Sequence, residues 1–467
     1  MSVDKQLRAV ARDGGQPSAG APLGPLYKRL PSGPHRLERK EVARHQRIRI
    51  HGAMVEAVAT NGYEGTSVKQ VIALAGVSRR SFYEQFANKQ ECLLATFDVL
   101  AGDTMRRAAD AYMASDGPLE KRLRPALAEF ATTVTRNRKA AALVIVETQT
   151  AGVPGVMRLR RAAATCERML CESFTGAPEA GPLPIPVARG IAGGLLAAMS
   201  TCVREGRGIG ADELTEEMLR WTLRFQTRAA AGMTEIIAES LKRSMLGGLS
   251  KPRERHAPNG RRADVRERLM EHALRLAVAE DLSELSALRI AEQADVSIDA
   301  FFEQFASKDE CFLAALDMLA GELLRVTADD GLASADWPRA VRRAIGKLML
   351  YLADHPHYAS TIAAEAFAAG AGAVKRNLEL AKALATLLTE GAPGEPVGRL
   401  TVEGVGGAIW HTVRCQVASG RPQLLPAMSD YLSYVVLAPF IGAEAAVEVV
   451  TEAPIGGVWP LDGPRSG

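Results

Sequence analysis

The segment GVSRRSFYEQFANKQEC (76–92) returns later in the chain as DVSIDAFFEQFASKDEC (295–311). Counted from the valine onward, 10 of 16 positions are identical in the two copies. The identical positions include two aromatic residues four apart, Phe82 and Phe86 in the first copy, which fall on one side of a helix. The differences lie mainly on the polar side, where Arg-Arg-Ser at 79–81 becomes Ile-Asp-Ala. The chain therefore repeats one short helical scaffold and changes its polar face.

The similarity extends over two halves of the chain. NRKAAALVIVETQTAG (137–152) aligns with HPHYASTIAAEAFAAG (355–370), and GIAGGLLAAMSTCVREGR (190–207) aligns with GVGGAIWHTVRCQVASGR (404–421). The three pairs of segments are offset by 219, 218 and 214 residues. The repeating unit is therefore a whole domain, and not the unit of about 20–50 residues that builds a solenoid.

Composition limits the class of protein. The chain has 467 residues, of which 47% are hydrophobic and 24% charged, with a net charge of +3. These values are ordinary for a globular protein of two or more domains. The six cysteines have no spacing typical of a metal site, so we expect reduced thiols, no metal and no cofactor. Without a long uncharged apolar run or a signal-peptide pattern, we expect a cytoplasmic protein and no membrane partner.

Within each half the apolar residues recur at helical spacing, and no stretch alternates as a strand does. The Asn-Gly pair at 61–62 predicts the end of a first helix, and Thr66 or Ser67 caps a second one. The residues 76–78 form a tight turn before a short third helix at 79–86. We therefore predict an all-α fold in which each half has a three-helix head followed by a helical body.

Two short helices joined by a three-residue turn form a helix-turn-helix, whose second helix can enter the major groove of DNA. Arginine side chains suit guanine edges and phosphates, and hydroxyl groups suit phosphate oxygens. Because the two phenylalanines face the core, the other side chains of the third helix are left outside. The predicted DNA-binding residues are Thr66, Ser67, Ser78, Arg79, Arg80, Ser81, Tyr83 and Lys89.

The segment YEGTSVKQVIALAGVSRRSFYEQFANKQECLLATF (63–97) resembles the TetR/AcrR-type transcriptional regulators. It has their Gly-Tyr, Thr-Ser-Val, Ala-Gly-Val-Ser, Phe-Tyr-x-x-Phe and Lys-x-Glu elements in order. It departs from them at Gln85, where the family usually has His, and in the more basic residues 79–81. The resemblance implies a head that binds double-stranded operator DNA, a body that binds a small-molecule effector, and dimerisation through the last two long helices.

The second copy of the motif has lost much of its suitability for DNA. Residues 77–89 carry a net charge of +2, whereas the equivalent residues 296–308 carry −1. Asp299 stands at the position of Arg80, and Phe302 lacks the hydroxyl of the first copy's tyrosine. Because phosphate contacts dominate affinity for DNA, we expect the second head to be mainly structural.

The predicted domain organisation follows from these patterns. Residues at the N-terminus are rich in Gly, Pro, Ser and Arg, which favours disorder, and a polar stretch separates the halves. The predicted units are a disordered basic arm (1–43), a first head (44–104), a first body (105–245), a linker (246–263), a degenerate second head (264–323), a second body (324–455) and a tail (456–467).

Four residues are weaker candidates for an effector pocket. Glu147 and Glu365 occupy equivalent positions in mostly apolar helices, and a buried carboxylate needs a partner. Either a pocket or a hydrogen bond between packed helices would supply that partner. Trp410 and His411 lie in a glycine-rich helical stretch, where core packing is the competing interpretation.

The expected function is effector-controlled transcription regulation, most often repression in the family that the chain resembles. One alternative is a helical module that binds ligands or proteins but no specific DNA. Another is an enzyme on a helical bundle, for which we find no GxSxG, Walker A or HExxH motif. The two halves can pair within one chain as a pseudo-dimer, or whole chains can form a homodimer.

Overall fold

The computed structural model describes residues 39–178, 180–206, 208–226, 233, 235, 264–280, 285–366, 369–394 and 400–452. Across these residues the chain forms helices joined by short loops, and they contain no strand. The expected all-α class is therefore confirmed.

The first half contains nine of the described α-helices. They are α1 (Arg39–Gly65), α2 (Val68–Ala75), α3 (Arg79–Tyr83), α4 (Lys89–Met113), α5 (Leu119–Arg136), α6 (Arg138–Ala142), α7 (Val153–Thr175), α8 (Ile185–Glu205) and α9 (Ala211–Leu223). A π-helical turn, Leu143–Glu147, and a 3-10 turn, Gln149–Ala151, join α6 to α7.

The second half repeats this order. Its described α-helices are α10 (Val265–Ala279), α11 (Ala287–Gln293), α12 (Ile298–Gln304), α13 (Lys308–Thr327), α14 (Trp337–Asp354), α15 (Pro356–Ser360), α16 (Ala371–Thr389), α17 (Thr401–Ala418), α18 (Ser429–Ile441) and α19 (Ala443–Thr451). A π-helical turn, Thr361–Glu365, occurs at the position equivalent to that of the first half. The internal repeat therefore extends to an irregular feature of the backbone.

The first head forms for the local reasons that its sequence indicates. Gly62 breaks the helical path of α1 with φ 67° and ψ 170°. Ser67 caps α2 by accepting from the N–H of Gln70, whose side chain in turn accepts from the Ser67 N–H at 2.7 Å. Gly76 then adopts the left-handed conformation at φ 59°, which glycine does without steric cost. The break at Gly62, the cap at Ser67 and the turn at Gly76 are as expected. The third helix was predicted to span 79–86, but it ends at Tyr83.

The two heads differ in how they join the rest of the molecule. In the first head, Phe82 and Phe86 are almost fully buried in an apolar cluster that reaches into the body through residues of α6, α7 and the turns between them, with Leu196 of α8 packed against it. In the second head, Phe301 and Phe305 belong to the large cluster that contains the cores of both bodies. The second head is therefore built into the main core, whereas the first head has a core of its own.

The two halves meet where α8 crosses α17, at a contact between glycines. A Cβ atom added to Gly193 would lie 2.6 Å from the carbonyl oxygen of Gly407, and one added to Gly407 would clash with the oxygen of Gly193. The sequence alignment pairs these two glycines, so the contact is reciprocal, as it is across a two-fold interface. Trp221 of α9 packs beside the crossing and donates to the carbonyl of Ile191 at 3.2 Å.

Two segments are long and apolar enough to span a membrane by length and composition alone. They are Ile185–Glu205 and Pro422–Ile441, and in the 18-residue apolar window of each, 56% and 67% of the residues are buried within the protein. The first contains α8 and the second contains α18, so both lie in the contact between the halves.

Three of the described helices run across predicted domain boundaries. Helix α1 begins at Arg39, so the last five residues assigned to the arm are helical. Helix α4 continues past residue 104 and α13 past residue 323, since one continuous helix joins each head to its body. The rest of the arm (1–38), the linker (246–263) and the tail (456–467) lie outside the described residues.

Candidate nucleic-acid interface

The turn between α2 and α3 is held from below by α1. The guanidinium group of Arg49 donates to the carbonyl oxygens of Ala75 and Gly76, the latter at 2.8 Å. Phe82 is fully buried beneath α3, and its ring packs against that of Phe86 at 5.7 Å. The angle of α3 to the head is thus determined by contacts on its inner side, which leaves its outer side available to a ligand.

Three large polar side chains occupy the outer side of α3. The Arg80 side chain is 89% exposed and donates to Glu84 at 2.8 Å. The guanidinium carbon of Arg79 lies 5.6 Å from the centre of the Tyr83 ring, and that tyrosine is 45% exposed. These predicted residues therefore form one surface patch, which we call the α3 patch.

The predicted serines are used at helix N-termini. The Ser78 hydroxyl caps α3 by accepting from the N–H of Ser81 at 3.0 Å, and the two hydroxyls lie 2.9 Å apart. Ser67 caps α2 in the same way. All three serines are at least partly exposed, and Ser67 and Ser78 also stabilise the helices that they cap.

Two predicted DNA contacts are engaged inside the head. Thr66 is buried, and its hydroxyl donates to the carbonyl oxygen of Gly62 at 2.7 Å. Its counterpart Leu285 is buried as well, so this position belongs to the head's interior and Thr66 is removed from the interface. The Lys89 ammonium donates to the carbonyl oxygen of Tyr63 at 2.9 Å and lies 4.2 Å from the Tyr63 ring centre.

The equivalent lysine of the second head makes a similar bond to a backbone carbonyl. Lys308 donates to the carbonyl of Leu285 at 2.7 Å, which ties α13 to the start of α11. Because a head with an acidic outer face retains this bond, the lysine has a structural role in both heads. An ammonium group has three N–H donors, so Lys89 can still offer one to a phosphate.

Sequence reasoning missed one exposed basic residue of the first head. Lys69 lies in the first turn of α2 and is exposed. Its position beside the Ser67 cap is the signal that points to it, because helix N-termini attract phosphate and a cation there adds to the attraction. The equivalent residue of the second head is Leu288, which is 54% exposed.

The outer face of the second head is acidic and apolar. Asp299 is exposed in the first turn of α12, and Phe302 is 56% exposed. The turn before α12 holds Asp295 at φ 53°, a left-handed conformation that costs most L-residues about 1–2 kcal/mol. This head preserves the scaffold of a helix-turn-helix but not the donors of the first head.

A cavity of about 180 Å³ lies inside the first body, between α4, α5, α7 and α8. Its walls are mainly apolar. A cavity volume of about 10–15 Å³ suffices for one water molecule, so this cavity is much larger than that. At one edge, Arg107 donates to Glu129 at 2.9 Å and to the hydroxyl of Thr133 at 3.1 Å, and also contacts Asp103. The cavity can therefore hold an apolar small molecule whose polar end meets these groups.

The weakly predicted pocket residues lie elsewhere. Glu147 does not line the cavity, because its carboxylate accepts from the backbone N–H of Tyr63 in the first head at 2.9 Å. Its neighbours in the π-helical turn, Val144 and Ile145, do line the cavity. Glu147 is therefore a link between body and head. The side chain of Glu365 lies outside the described residues.

Trp410 and His411 are also absent from the cavity wall. The Trp410 indole donates to Asn377 at 2.9 Å in the core of the second body. His411 points instead into the contact between the halves, where its Nε2 lies 2.9 Å from a carboxylate oxygen of Glu167. Trp410 therefore belongs to the core of the second body, and His411 to the contact between the halves.

The sequence did not reveal the group that surrounds His411. Glu167 comes from α7 of the first half, whereas His411 and Cys415 are four residues apart on α17 of the second half. Burial raises the pKa of the Glu167 carboxyl, but the bond from His411 and the nearby Arg189 outweigh it and lower the pKa overall. The i, i+4 spacing of the histidine and cysteine was the available signal.

Comparisons with known proteins identify the heads. Residues 52–96 and 269–315 match the family described as bacterial regulatory proteins, tetR family. A search of curated proteins found no significant match.

Several solved structures are similar to part of the chain. The fatty acid degradation regulator FadR from Bacillus halodurans has 18% identity over 38% of this chain and 94% of its own, with a TM-score of 0.36. FadR from Bacillus subtilis, in complex with stearoyl-CoA, has 18% identity over 38% and 97%, with a TM-score of 0.35. A TetR family transcription regulator from Marinobacter aquaeolei VT8 has 22% identity over 40% and 96%, with a TM-score of 0.32.

Each of the two segments that match the family model lies in one of the two heads and contains its helix-turn-helix. The chain therefore has a tandem TetR-like arrangement, in which two segments that match the tetR family of bacterial regulatory proteins follow each other in one polypeptide.

Proposed function

We propose that the protein is a sequence-specific DNA-binding transcription regulator that reads its operator mainly through the first head. The observation that carries this proposal is the α3 patch. Arg79, Arg80 and Tyr83 stand exposed on the second helix of a helix-turn-helix, while Phe82 anchors that helix from below. As a regulator of the chromosome, the protein would act in the cytoplasm.

The contacts within the α3 patch are weak enough to be exchanged for DNA. An exposed ion pair such as Arg80–Glu84 contributes about 0–1 kcal/mol. An exposed cation–π contact such as that of Arg79 contributes about 0.5–1 kcal/mol. A bidentate contact between arginine and guanine discriminates against the wrong base by about 1–3 kcal/mol, so either arginine could contribute to sequence reading.

The second head supports this asymmetry. Its outer face presents Asp299, Phe302 and Leu288 in place of a basic and hydroxyl-bearing surface. A carboxylate near phosphate is repelled, and exposed apolar side chains offer no donors to phosphates or base edges. We therefore propose that the second head holds its half of the fold together and does not read sequence.

Effector control is the second part of the proposal. Helix α4 begins in the first head at Lys89 and lines the cavity from Leu100 to Tyr112. The π-helical turn provides a second connection, since Val144 and Ile145 line the cavity while Glu147 bonds to the head. A ligand that binds one arrangement of these elements more tightly would shift the head and release DNA, which is the action of an effector on a repressor.

The DNA-reading role is tested by Arg79→Ala and Arg80→Ala. We expect each variant to lose about tenfold or more in affinity for an operator selected from random duplexes, because each removes a candidate base contact. Fluorescence anisotropy at fixed salt measures the affinity. The equivalent variants in the second head, Ile298→Ala and Asp299→Ala, are the controls and should retain binding.

Two outcomes would redirect the assignment. Unchanged specific affinity in both arginine variants would exclude the α3 patch as the reading surface. Failure of the wild-type chain to select any duplex would favour the alternative of a ligand- or protein-binding module. We assign no enzymatic step, because the two family matches are to regulatory proteins.

The effector pocket is tested with an apolar fluorescent naphthalene sulfonate. We expect saturable binding of one probe per chain, weakened about tenfold by Ala163→Phe, because Ala163 lines the cavity and a phenyl ring there would fill it. Ala164→Phe, at the next position of α7, is the matched control outside the cavity wall. Equal probe binding in the two variants would contradict the assignment of this cavity.

A further inference from the structure

The contact between the halves contains a compact group of three ionisable side chains. The ligand-type atoms of Glu167, His411 and Cys415 all lie within 4.8 Å of one another. The Glu167 and His411 side chains are 6% and 4% exposed, and Cys415 is buried as well. Buried charges in proteins are paired or bind metals, so this group needs an explanation that ordinary core packing does not give.

We propose that Glu167, His411 and Cys415 bind a thiophilic divalent cation such as Zn²⁺, which links the two halves of the chain. Their chemistry is that of a zinc site: a thiolate, an imidazole nitrogen and a carboxylate oxygen are its usual protein ligands. The histidine and cysteine lie one turn apart on α17, and the glutamate reaches them from α7 of the other half.

The distances between the three ligand atoms agree with a tetrahedral site. His411 Nε2 lies 2.9 Å from Glu167 Oε1 and 3.6 Å from Cys415 Sγ, and that sulfur lies 4.0 Å from Glu167 Oε1. A tetrahedron with usual zinc–ligand bonds of about 2.0–2.3 Å has edges of about 3.3–3.6 Å. Movements of a few tenths of an ångström therefore place all three atoms around one cation.

The charges around the group also suit a divalent cation. A carboxylate and a thiolate together neutralise two positive charges, which removes the cost of burying either anion. Arg189 lies 3.5 Å from the other carboxylate oxygen of Glu167, so it can orient that ligand from the side away from His411. Three protein ligands leave one tetrahedral position for a water molecule or a small anion.

The competing explanation is a hydrogen-bonded triad without metal. In that arrangement the His411 imidazole bonds to Glu167 and Cys415 but leaves its Nδ1 atom without a partner among the described residues. Either arrangement joins the halves, but only the cation site is saturable by added metal. A cation there would strengthen the pairing of the halves and so restrict the relative positions of the two heads.

Cobalt(II) distinguishes the two arrangements in the full-length chain. The chain is treated with a chelator and titrated with Co²⁺, and a second sample is refolded with Co²⁺ in case the buried site closes before metal enters. We expect one Co²⁺ per chain, a thiolate-to-cobalt charge-transfer band and tetrahedral d–d bands. We expect Zn²⁺ to displace Co²⁺ and to raise the melting temperature.

Near-isosteric variants assign the band to these residues. Cys415→Ser should abolish the charge-transfer band, and His411→Gln and Glu167→Gln should each weaken Co²⁺ binding about tenfold or more, while circular dichroism confirms that the variants are folded. Cys166→Ser and Cys171→Ser, which remove the two thiols of α7, should leave the band intact. Absence of the band in both wild-type samples, or its persistence in Cys415→Ser, would overturn the proposal and leave the hydrogen-bonded triad.

Discussion

At the scale of single residues, His51 shows how one buried side chain distinguishes the two heads. Its Nδ1 lies 2.8 Å from the hydroxyl of Thr96, which itself donates to the carbonyl of Cys92. The hydroxyl therefore accepts from His51, and the other ring nitrogen has no partner among the described residues. Burial, helped by the nearby Arg47, lowers the pKa of His51 to about 4.

The lowered pKa makes the first head sensitive to acid. The fold favours neutral His51, so its contribution is fully present above the unfolded pKa of about 6.5 and is lost as the pH falls towards 4. Between pH 7.5 and 4.5 this residue should remove about 2–3 kcal/mol from the free energy of unfolding. Urea unfolding of wild type and His51→Met at both pH values measures the difference.

The second head supplies the reason for choosing methionine. Met270 occupies the position equivalent to His51 and is buried there, so the head scaffold accommodates it. Because carboxylates elsewhere titrate in both proteins, the informative quantity is the difference between the two pH dependences. Identical acid sensitivity of wild type and His51→Met would contradict this role of the histidine.

At the scale of elements, the crossing of α8 and α17 depends on the absence of side chains. Gly193 and Gly407 face each other so closely that a Cβ atom on either would overlap the other's backbone. Helices approach this closely only where residues are small, and the gain is extensive van der Waals contact along both helices. The crossing therefore fixes how the two bodies sit against each other.

Substitution at this crossing should be costly. We expect Gly407→Ala to lower the free energy of unfolding by at least about 1–3 kcal/mol, because a methyl group there forces a backbone shift. The control is Gly321→Ala in α13, where an added Cβ would meet nothing within 4 Å. That control should instead stabilise the chain by about 0.5–1 kcal/mol, as alanine is the better helix former. Thermal and urea unfolding measure the stability of both variants. Equal stability would contradict the prediction, because it would show that α8 and α17 can move apart at the crossing without cost.

At the scale of the whole molecule, each half uses the other as its partner. Beyond the glycine crossing, the Tyr434 hydroxyl donates to the carbonyl of Phe225 at 3.2 Å, from the second half to the first. Arg414 of α17 also donates to Gln149 of the first half at 3.4 Å. These contacts bury surfaces of the two halves against each other within one polypeptide.

This arrangement predicts a monomer in solution. We expect a mass near 49.9 kDa by light scattering, and one chain per operator, because the pairing surfaces of α8 and α17 are already buried. We also expect the protected DNA to contain a single strongly read half-site, since only one head carries the α3 patch. A dimer of about twice that mass at all concentrations, protecting a palindrome, would contradict the pseudo-dimer and favour a homodimer of whole chains.

The sequence by itself determined the all-α class, the duplication and the local structure of the heads. These features depend on short-range rules: helical spacing of apolar residues, the cap at Ser67, the glycine turn at 76 and the aromatic pair of α3. Each rule operates within about one or two helical turns, so a one-dimensional pattern contains it.

Only the tertiary structure decided which polar residues are free to bind a ligand. Thr66 and Lys89 belong to the local motif, yet their partners at Gly62 and Tyr63 depend on how α1 ends and how α4 packs on it. The head-to-body bond of Glu147 joins atoms 84 positions apart, and the group around His411 brings Glu167 to Cys415 across 248 positions. Burial and proximity across such separations arise from packing of whole helices, and no local pattern of residues encodes them.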